Sequence, residues 1–174
     1  MPMDFYLSRV KRAIEQATDG ITWEQMSQHA PGRWSVAEIL EHLNLTYSGS
    51  TRAMEKCLQT GRPRLKSARF GEHVAKFVVV NFRWMPAGRQ APAYAVPSGA
   101  PPAQIGQEIQ VSLARMDEVL TQCEVRFGKR TKLLNHPFLG PLTAEQWRIF
   151  HWVHARHHMK QIENLRAGCV KAEK

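Results

Sequence analysis

The sequence has no long hydrophobic run. Its longest stretch of large apolar side chains is Phe77 to Val80, whereas a helix that crosses a bilayer needs about 20 apolar residues. The first residues include Arg9, Lys11 and Arg12, which do not fit the apolar centre of a signal peptide. We therefore expect a soluble, cytoplasmic protein without a membrane partner.

Cysteine is scarce, and its spacing excludes two common uses of this residue. The three cysteines, Cys57, Cys123 and Cys169, lie far apart and form no Cys-x-x-Cys pair, so paired zinc-ribbon ligands and dithiol redox centres are excluded. An odd number of isolated cysteines does not fit the disulfide framework of a small secreted protein either. We expect three reduced thiols, none of which has the sequence context of a nucleophile.

The sequence also lacks the alternating apolar pattern of half-buried strands, and it has no internal repeat. Apolar residues instead recur at the spacing of three to four residues that is typical of amphipathic helices. The predicted helices are Phe5–Ala17, a short turn at Thr22–Ser27, Val36 to near Gly61, about Glu72 to Trp84, Ile105–Cys123, and one from Ala144 that stops near Gly168. Residues 135–141 are predicted to be a rigid connection.

These helices indicate the fold class. A chain of 174 residues with 43% hydrophobic residues has the size and composition of one globular domain, which we assign to residues 1–174. Long amphipathic helices in a chain of this size favour an all-α, antiparallel four-helix bundle. Prolines and glycines make residues 60–104 the least regular part, a long irregular connection with extra short helices.

Two predicted helices begin with the same local signal. Ser35 is followed three residues later by Glu38, and Thr143 is followed by Gln146. Both pairs have the spacing of a capping box, in which each side chain bonds to the backbone N–H of the other residue. Trp34 with Ile39 and Leu142 with Trp147 are placed to form hydrophobic staples around these starts.

Acidic residues are too few to balance the basic ones. The chain has 15 Asp and Glu against 24 Lys and Arg, which gives a net charge of +9. The basic residues cluster at 9–12, 62–69 and 126–132, and such clusters either bind phosphates or form solvated loops. The sequence shows no helix-turn-helix and no basic motif interleaved with aromatic residues. We therefore do not expect nucleic acid to be a partner.

Histidine is concentrated in one predicted helix, which carries His151, His154, His157 and His158 of the eight in the chain. At about 100° per residue, His154 and His158 fall at the centre of its apolar face, and imidazoles four residues apart can bind one metal ion. The alternative is a buried polar seam, in which these histidines pair with carbonyls or carboxylates. His151 and His157 lie on opposite edges of the face.

His42 is the remaining histidine of interest. It lies about 60° beyond Ile39 around the predicted second long helix, at the edge of the apolar face. This position fits a surface or boundary residue at least as well as a metal ligand. The sequence pattern alone leaves both roles open.

Two motifs together resemble a known superfamily. They are Trp-Ser-x-x-Glu-x-Leu-x-His-Leu over residues 34–43 and His-x-x-His-His-x-x-Gln over residues 154–161, and they are similar to those of DinB-like proteins, a superfamily of metal-binding four-helix bundles. The closest branch is one of unknown function. The resemblance implies that His42, His154 and His158 hold one divalent metal ion. Zinc and nickel are favoured, and iron and manganese are also compatible.

The resemblance also implies an activity, because related proteins include bacillithiol and mycothiol S-transferases. We expect a metal-dependent transfer of a low-molecular-weight thiol to a small electrophile, in a pocket lined by Tyr47, Trp147 and His151. One alternative is a metal-dependent hydrolase. The other is a non-enzymatic stress-response or binding module with a structural or vestigial metal site. A small molecule is the expected partner, and a homodimer is the commonest closed assembly.

Overall fold

Helices carry most of the chain in the computed structural model, which describes residues 2–67, 69–85 and 90–172, with side chains described up to residue 167. The helices are α1 (Phe5–Thr18), α2 (Trp23–Ser27), α3 (Val36–Thr60), α4 (Phe70–Phe82), α5 (Pro102–Phe127) and α6 (Ala144–Ala172). A short 3-10 turn covers Ala93–Ala95. None of the helices described has the length and apolar character needed to cross a membrane.

Both predicted capping boxes are confirmed. Ser35 Oγ accepts a hydrogen bond from the Glu38 backbone N–H, and the Glu38 carboxylate accepts one from the Ser35 N–H. Thr143 and Gln146 exchange the same pair of bonds at the start of α6. Because these bonds satisfy donors that the first helical turn leaves unpaired, they fix where α3 and α6 begin.

Two predicted helix ends differ from the structure. The last helix continues past Gly168 to Ala172, so this glycine does not end it. Helix α4 lies two residues earlier than predicted at both ends, because the Glu72 carboxylate accepts a bond from the Arg69 N–H at its start. At its other end Arg83 takes a left-handed conformation with φ 54°. Pro86, which follows the predicted end of this helix and cannot donate a helical hydrogen bond, lies outside the described residues.

The predicted rigid connection contains a small hairpin. Strands β1 (Leu134–His136) and β2 (Gly140–Leu142) pair antiparallel, with Leu134 opposite Leu142. Gly140 has φ +65°, a conformation that residues with a side chain rarely adopt. Each strand has only three residues, so neither is long enough to show the alternation by which strands are recognised in a sequence.

The helices do not all run antiparallel to their neighbours. Side-chain hydrogen bonds join residues that advance together along α3 and α5: Asn44 to Glu108, Ser48 to Ser112, and Arg115 to Glu55. These two helices are therefore parallel. Helices α1 and α6 are parallel as well, since Arg148 lies beside Asp4 and Arg166 bonds to the Ala17 carbonyl.

Helix α3 does run antiparallel to α6, because His42 contacts His158 and Tyr47 contacts His151. The expected antiparallel arrangement thus holds for this pair but not for α3 with α5 or for α1 with α6. Two parallel neighbours joined in sequence require a connection as long as a helix. Residues 61–101 make this return, which explains why the chain needs a long irregular region there.

A buried arginine links three of these helices. Arg148 of α6 is 5% exposed. Its guanidinium lies 2.8 Å from the Glu124 carboxylate and 3.7 Å from the Asp4 carboxylate, and it donates to Thr121 Oγ1 at 3.2 Å. The start of α1 and the last turns of α5 are therefore held against the N-terminal part of α6.

Candidate metal centre

Three histidines meet between α3 and α6. The Nε2 atoms of His42 and His154 are 3.2 Å apart, and those of His154 and His158 are 3.1 Å apart. One ring nitrogen from each of the three lies within 4.8 Å of the other two. Nitrogens bound at about 2.1 Å to one tetrahedral metal ion lie roughly 3.4 Å apart. These residues, the histidine triad below, therefore have the separations that one metal ion requires.

Two elements position the triad. His154 and His158 lie on successive turns of α6, which puts their side chains on the same face of the helix. His42 comes from α3, which crosses this face in the opposite direction, and it is 4% exposed. Of the two roles that the sequence left open for His42, the structure excludes the surface role.

Contacts with residues outside the triad determine which ring nitrogen carries the proton in two of its histidines. Nδ1 of His42 lies 2.7 Å from the Ala95 carbonyl oxygen, and Nδ1 of His158 lies 2.7 Å from the Gln161 Oε1. Both oxygens are acceptors, so each Nδ1 carries the proton and donates it. Each Nε2 is therefore an unprotonated acceptor that points into the centre.

His154 cannot satisfy both of these acceptors. Its Nε2 carries at most one proton, whereas it lies within 3.2 Å of the Nε2 atoms of both His42 and His158. At least one of these contacts consequently places two nitrogen lone pairs against each other. A cation between the three nitrogens removes this repulsion, and a ligand histidine that donates its other N–H to an oxygen is the usual outer arrangement of metal sites.

Burial keeps the three imidazoles of the triad neutral, with one proton on each ring. Desolvation lowers the pKa of His158 to about 3, and it lowers the pKa of His154 well below its ordinary value, with further contributions from the neighbouring histidines. Desolvation also lowers the pKa of His42, although its bond to Ala95 opposes this effect. Metal ligands must be deprotonated, so at neutral pH no proton has to leave the triad before a cation binds.

Two aromatic side chains hold the rings in place. The Trp34 ring lies 5.0 Å from that of His42 at an interplanar angle of 39°, and the Phe150 ring stacks on His154 at 5.4 Å and 12°. The sequence indicated Trp34 as part of a hydrophobic staple and as the first residue of the early motif, but not as a contact of His42. Its contact with His42 depends on the side-chain directions in α3, which the spacing does not specify.

Glu41, next to His42, anchors the irregular segment of residues 95–100, which the sequence did not connect with the site. Its carboxylate accepts hydrogen bonds at 2.7 to 2.9 Å from the Ser98 N–H and hydroxyl and from the N–H groups of Gly99 and Ala100. Burial raises the pKa of Glu41, but these bonds outweigh it and the pKa lies below its ordinary value. The segment held in this way also contains Ala95, the acceptor for His42.

A cavity of about 810 Å³ lies above the triad, and all three of its histidines line it. The walls come from α4, from the hairpin turn at 137–139 and from residues 90–96, and most of their side chains are apolar. Exposed residues at its edge include Tyr94 and Trp84, which are 60% and 58% exposed. Among the described residues, no aspartate or glutamate lines the cavity.

The three residues that we expected to line the pocket lie elsewhere. Tyr47, Trp147 and His151 are at most 4% exposed, and none of them is among the residues that line the cavity. The His151 ring packs between those of Tyr47 and Trp147, at 5.3 and 5.7 Å. They form a buried aromatic cluster, because α3 covers this part of α6 as it does the triad, but at a level away from the cavity.

His157, which the sequence places at one edge of the apolar face of α6, forms a hydrogen bond with Gln161. Its Nε2 lies 3.3 Å from the Gln161 Nε2, which donates to it. This bond orients the Gln161 amide so that its oxygen faces His158. Gln161 was part of the late sequence motif, but the motif did not indicate this link.

Neither described cysteine side chain belongs to the centre. Cys57 and Cys123 are both buried and are absent from the residues that line the cavity. Desolvation raises the pKa of Cys123 to about 11 and also raises the pKa of Cys57. Both are therefore protonated thiols at neutral pH. The side chain of Cys169 lies outside the described residues.

Comparison with known proteins identifies the family but no relative of known activity. The chain matches no curated protein and no solved structure. Residues 3–165 match the model of a family that is described as protein of unknown function (DUF1569). This match covers most of the chain and includes the whole histidine triad, and the protein therefore belongs to the DUF1569 family.

Proposed function

We propose that this protein is a DinB-like metal-dependent enzyme that transfers a low-molecular-weight thiol to a small electrophile. In this proposal α1, α3, α5 and α6 are the four helices of the bundle, and the triad holds one divalent ion, with zinc or nickel favoured and iron or manganese compatible. The observation that carries it is the arrangement of the three Nε2 atoms, at least two of which are unprotonated, at the base of a large cavity.

The ligand set supports a catalytic centre rather than a structural one. Structural zinc sites are usually closed by four protein ligands, whereas catalytic sites have three and an open position. In the part of the chain that the structure describes, the triad is the one group of three or more candidate ligands. Its histidines face the cavity, so a small molecule can reach a fourth position. This argues against the non-enzymatic module.

The surrounding residues support a thiol as the fourth ligand. A divalent cation bound by three neutral imidazoles stabilises an anionic ligand, and it would lower the pKa of a bound thiol so that the thiolate is present at neutral pH. The protein has no described cysteine near the cavity, so the sulfur would come from a small molecule. The thiol proton would pass to solvent, and the sulfur would form a bond to the electrophilic carbon as the leaving group departs with its electron pair.

A hydrolase is a weaker proposal for this cavity. Such an enzyme commonly uses a carboxylate or a histidine beside the metal to accept a proton from the attacking water. The cavity walls that the structure describes contain no carboxylate. Two histidines outside the triad, His136 and His157, line the cavity. The His157 Nε2 already accepts a bond from Gln161, and the His136 Nδ1 accepts bonds from the Phe138 and Leu139 N–H groups.

Metal analysis and cobalt spectroscopy test this proposal. Protein purified without an affinity tag should contain one divalent metal ion per chain, and His154→Ala should remove it. His73→Ala is a matched control, because His73 is exposed on α4 and is not one of the grouped ligands. In the cobalt-substituted protein, a small thiol such as 2-mercaptoethanol should produce a thiolate-to-cobalt charge-transfer band.

The outcomes separate the alternatives. If the triple variant His42→Ala, His154→Ala, His158→Ala retains its metal, the ligand assignment is wrong. If azide changes the cobalt spectrum but no thiol does, the hydrolase is supported. If neither changes it, the centre is closed and the non-enzymatic role is supported.

A further inference from the structure

The lining of the cavity restricts the kind of molecule that can occupy it. We infer that the cavity selects an amphipathic ligand, with an anionic head that binds the metal and an apolar body that contacts the walls. This inference rests on the proposed function and narrows it: thiols with an apolar body should be preferred to polyhydroxylated or multiply charged thiols.

The charge of the lining determines the head group. The triad contributes no negative charge, and no carboxylate is among the described lining residues. Arg33 is the one described lining residue whose side chain is charged at neutral pH. It is a cation and is exposed. The charge of a bound divalent ion is therefore not balanced by the protein. An anionic ligand atom compensates it, whereas a neutral one does not.

The polar groups deep in the cavity already have partners within the protein. Thr46 Oγ1 donates to the His42 carbonyl at 2.6 Å, and the Gln161 amide is shared between His157 and His158. Among the other uncharged polar side chains on the lining, Gln90, Tyr94 and Asn164 are exposed. His136 is half-buried, and its Nδ1 accepts hydrogen bonds from the Phe138 and Leu139 N–H groups. A ligand body rich in hydroxyl groups would consequently give up its hydrogen bonds to water when it entered the cavity. It would form few hydrogen bonds with the protein in return, which is unfavourable.

Apolar side chains cover the remaining walls. Val79 of α4 and Leu139 of the hairpin turn are each 4% exposed. Val78, Pro92, Val96 and Pro137 line the cavity with them. These residues come from three separate elements and surround the space beyond the triad. An apolar body placed there removes its own surface and theirs from water, which is favourable in proportion to the area buried.

Thiol binding to the cobalt-substituted protein tests this inference. Three thiols differ in body but share an aliphatic thiol head: 2-phenylethanethiol, 2-mercaptoethanol and 1-thioglycerol. Their Kd values are taken from the charge-transfer band and corrected for the pKa of each free thiol. We expect 2-phenylethanethiol to bind at least about tenfold more tightly than 1-thioglycerol. The free energy gained by burying an aromatic ring exceeds the binding free energy that corresponds to a tenfold ratio of Kd values.

A substitution in a cavity wall tests whether that wall causes the preference for a thiol with an apolar body. Val78 is half-buried and lines the cavity, so Val78→Asn makes a wall polar at a position that tolerates a polar side chain. It should reduce the preference for 2-phenylethanethiol by at least about threefold and leave the metal content unchanged. Val111→Asn is the matched control, since Val111 is 69% exposed on α5 and absent from the lining.

The results distinguish a failure of this inference from a failure of the proposed function. Equal corrected Kd values with a clear charge-transfer band would overturn the apolar preference but support thiol binding. If no thiol gives a band, thiol transfer is wrong, and the comparison is repeated with 3-phenylpropanoate and glycolate by their effects on the cobalt spectrum. A preference for 3-phenylpropanoate then supports the amphipathic ligand, and equal or absent binding overturns it.

Discussion

Glu41 shows how one residue outside the triad can control a ligand. Its two carboxylate oxygens accept four hydrogen bonds from residues 98–100, and the carbonyl of Ala95 in the same segment accepts the Nδ1 proton of His42. The segment therefore fixes the orientation of the His42 ring. Such outer contacts typically change metal affinity about 10–100-fold when they are removed.

The substitution Glu41→Gln tests this role with almost no change in shape. All four partners of Glu41 are donors, so an amide places an N–H against at least one of them. We expect the metal Kd to rise about tenfold, as measured by competition with a chelating indicator. Glu118→Gln is the control, because the Glu118 side chain is 54% exposed. An unchanged Kd for Glu41→Gln would show that the segment does not orient His42.

At the scale of the helices, Arg148 is the link that sequence periodicity does not indicate. It lies near the start of α6, and its guanidinium is buried between Glu124 and Asp4. Asp117 lies close enough for Arg148 to lower its pKa, although burial outweighs this effect and the pKa is raised. Removal of one partner from a buried ion pair leaves the other charges uncompensated.

Arg148→Met should therefore destabilise the folded protein by about 3–5 kcal/mol. The comparison is Arg115→Met, since Arg115 pairs with Glu55 and Glu118 but its side chain is 48% exposed. Exposed pairs contribute about 0–1 kcal/mol. Urea unfolding of both variants with saturating metal measures the difference. Similar losses in the two variants would contradict the assigned importance of the buried pair.

At the scale of the whole molecule, buried histidines link stability to pH. Desolvation lowers the pKa of His151 to about 3, and the triad residues are shifted in the same direction. In the unfolded chain these side chains have a pKa near 6.5. As the pH falls below this value, the unfolded state binds protons that the folded state does not, and folding becomes less favourable.

The metal-free protein should therefore have its full stability above about pH 6.5 and lose it progressively between about pH 6.5 and pH 3. His151→Leu should reduce the number of protons taken up on unfolding by about one, and with it the slope of the unfolding free energy against pH, because the histidine that gains a proton on unfolding is absent. Urea unfolding at a series of pH values measures these slopes. A slope unaffected by His151→Leu would mean that this residue does not contribute.

The same burial changes the expected pH dependence of metal binding. From the ordinary pKa of histidine, affinity should fall as the pH drops through about 6.5. The lowered pKa values of His154 and His158 move this fall to lower pH. Desolvation of a ring depends on the residues packed around it, which come from both α3 and α6, so the reference value could not account for it.

Much of the secondary structure could be predicted from the sequence, because the signals that set it are local. The capping boxes of Ser35 with Glu38 and of Thr143 with Gln146 each involve residues within one helical turn, and Gly61 ends α3 as expected. The pairing of His154 with His158 is equally local, since four residues make about one turn. None of these features requires a distant part of the chain.

The tertiary structure decided everything that depends on which surfaces meet. His42 turns inward, and His151 faces Tyr47 and Trp147 rather than the cavity, because α3 crosses α6 in the opposite direction. The link from Glu41 to residues 98–100 spans more than fifty positions of the chain, and no local pattern specifies it. Helix periodicity establishes which face of a helix is apolar, but only packing determines which neighbour covers that face and therefore which polar groups share one site.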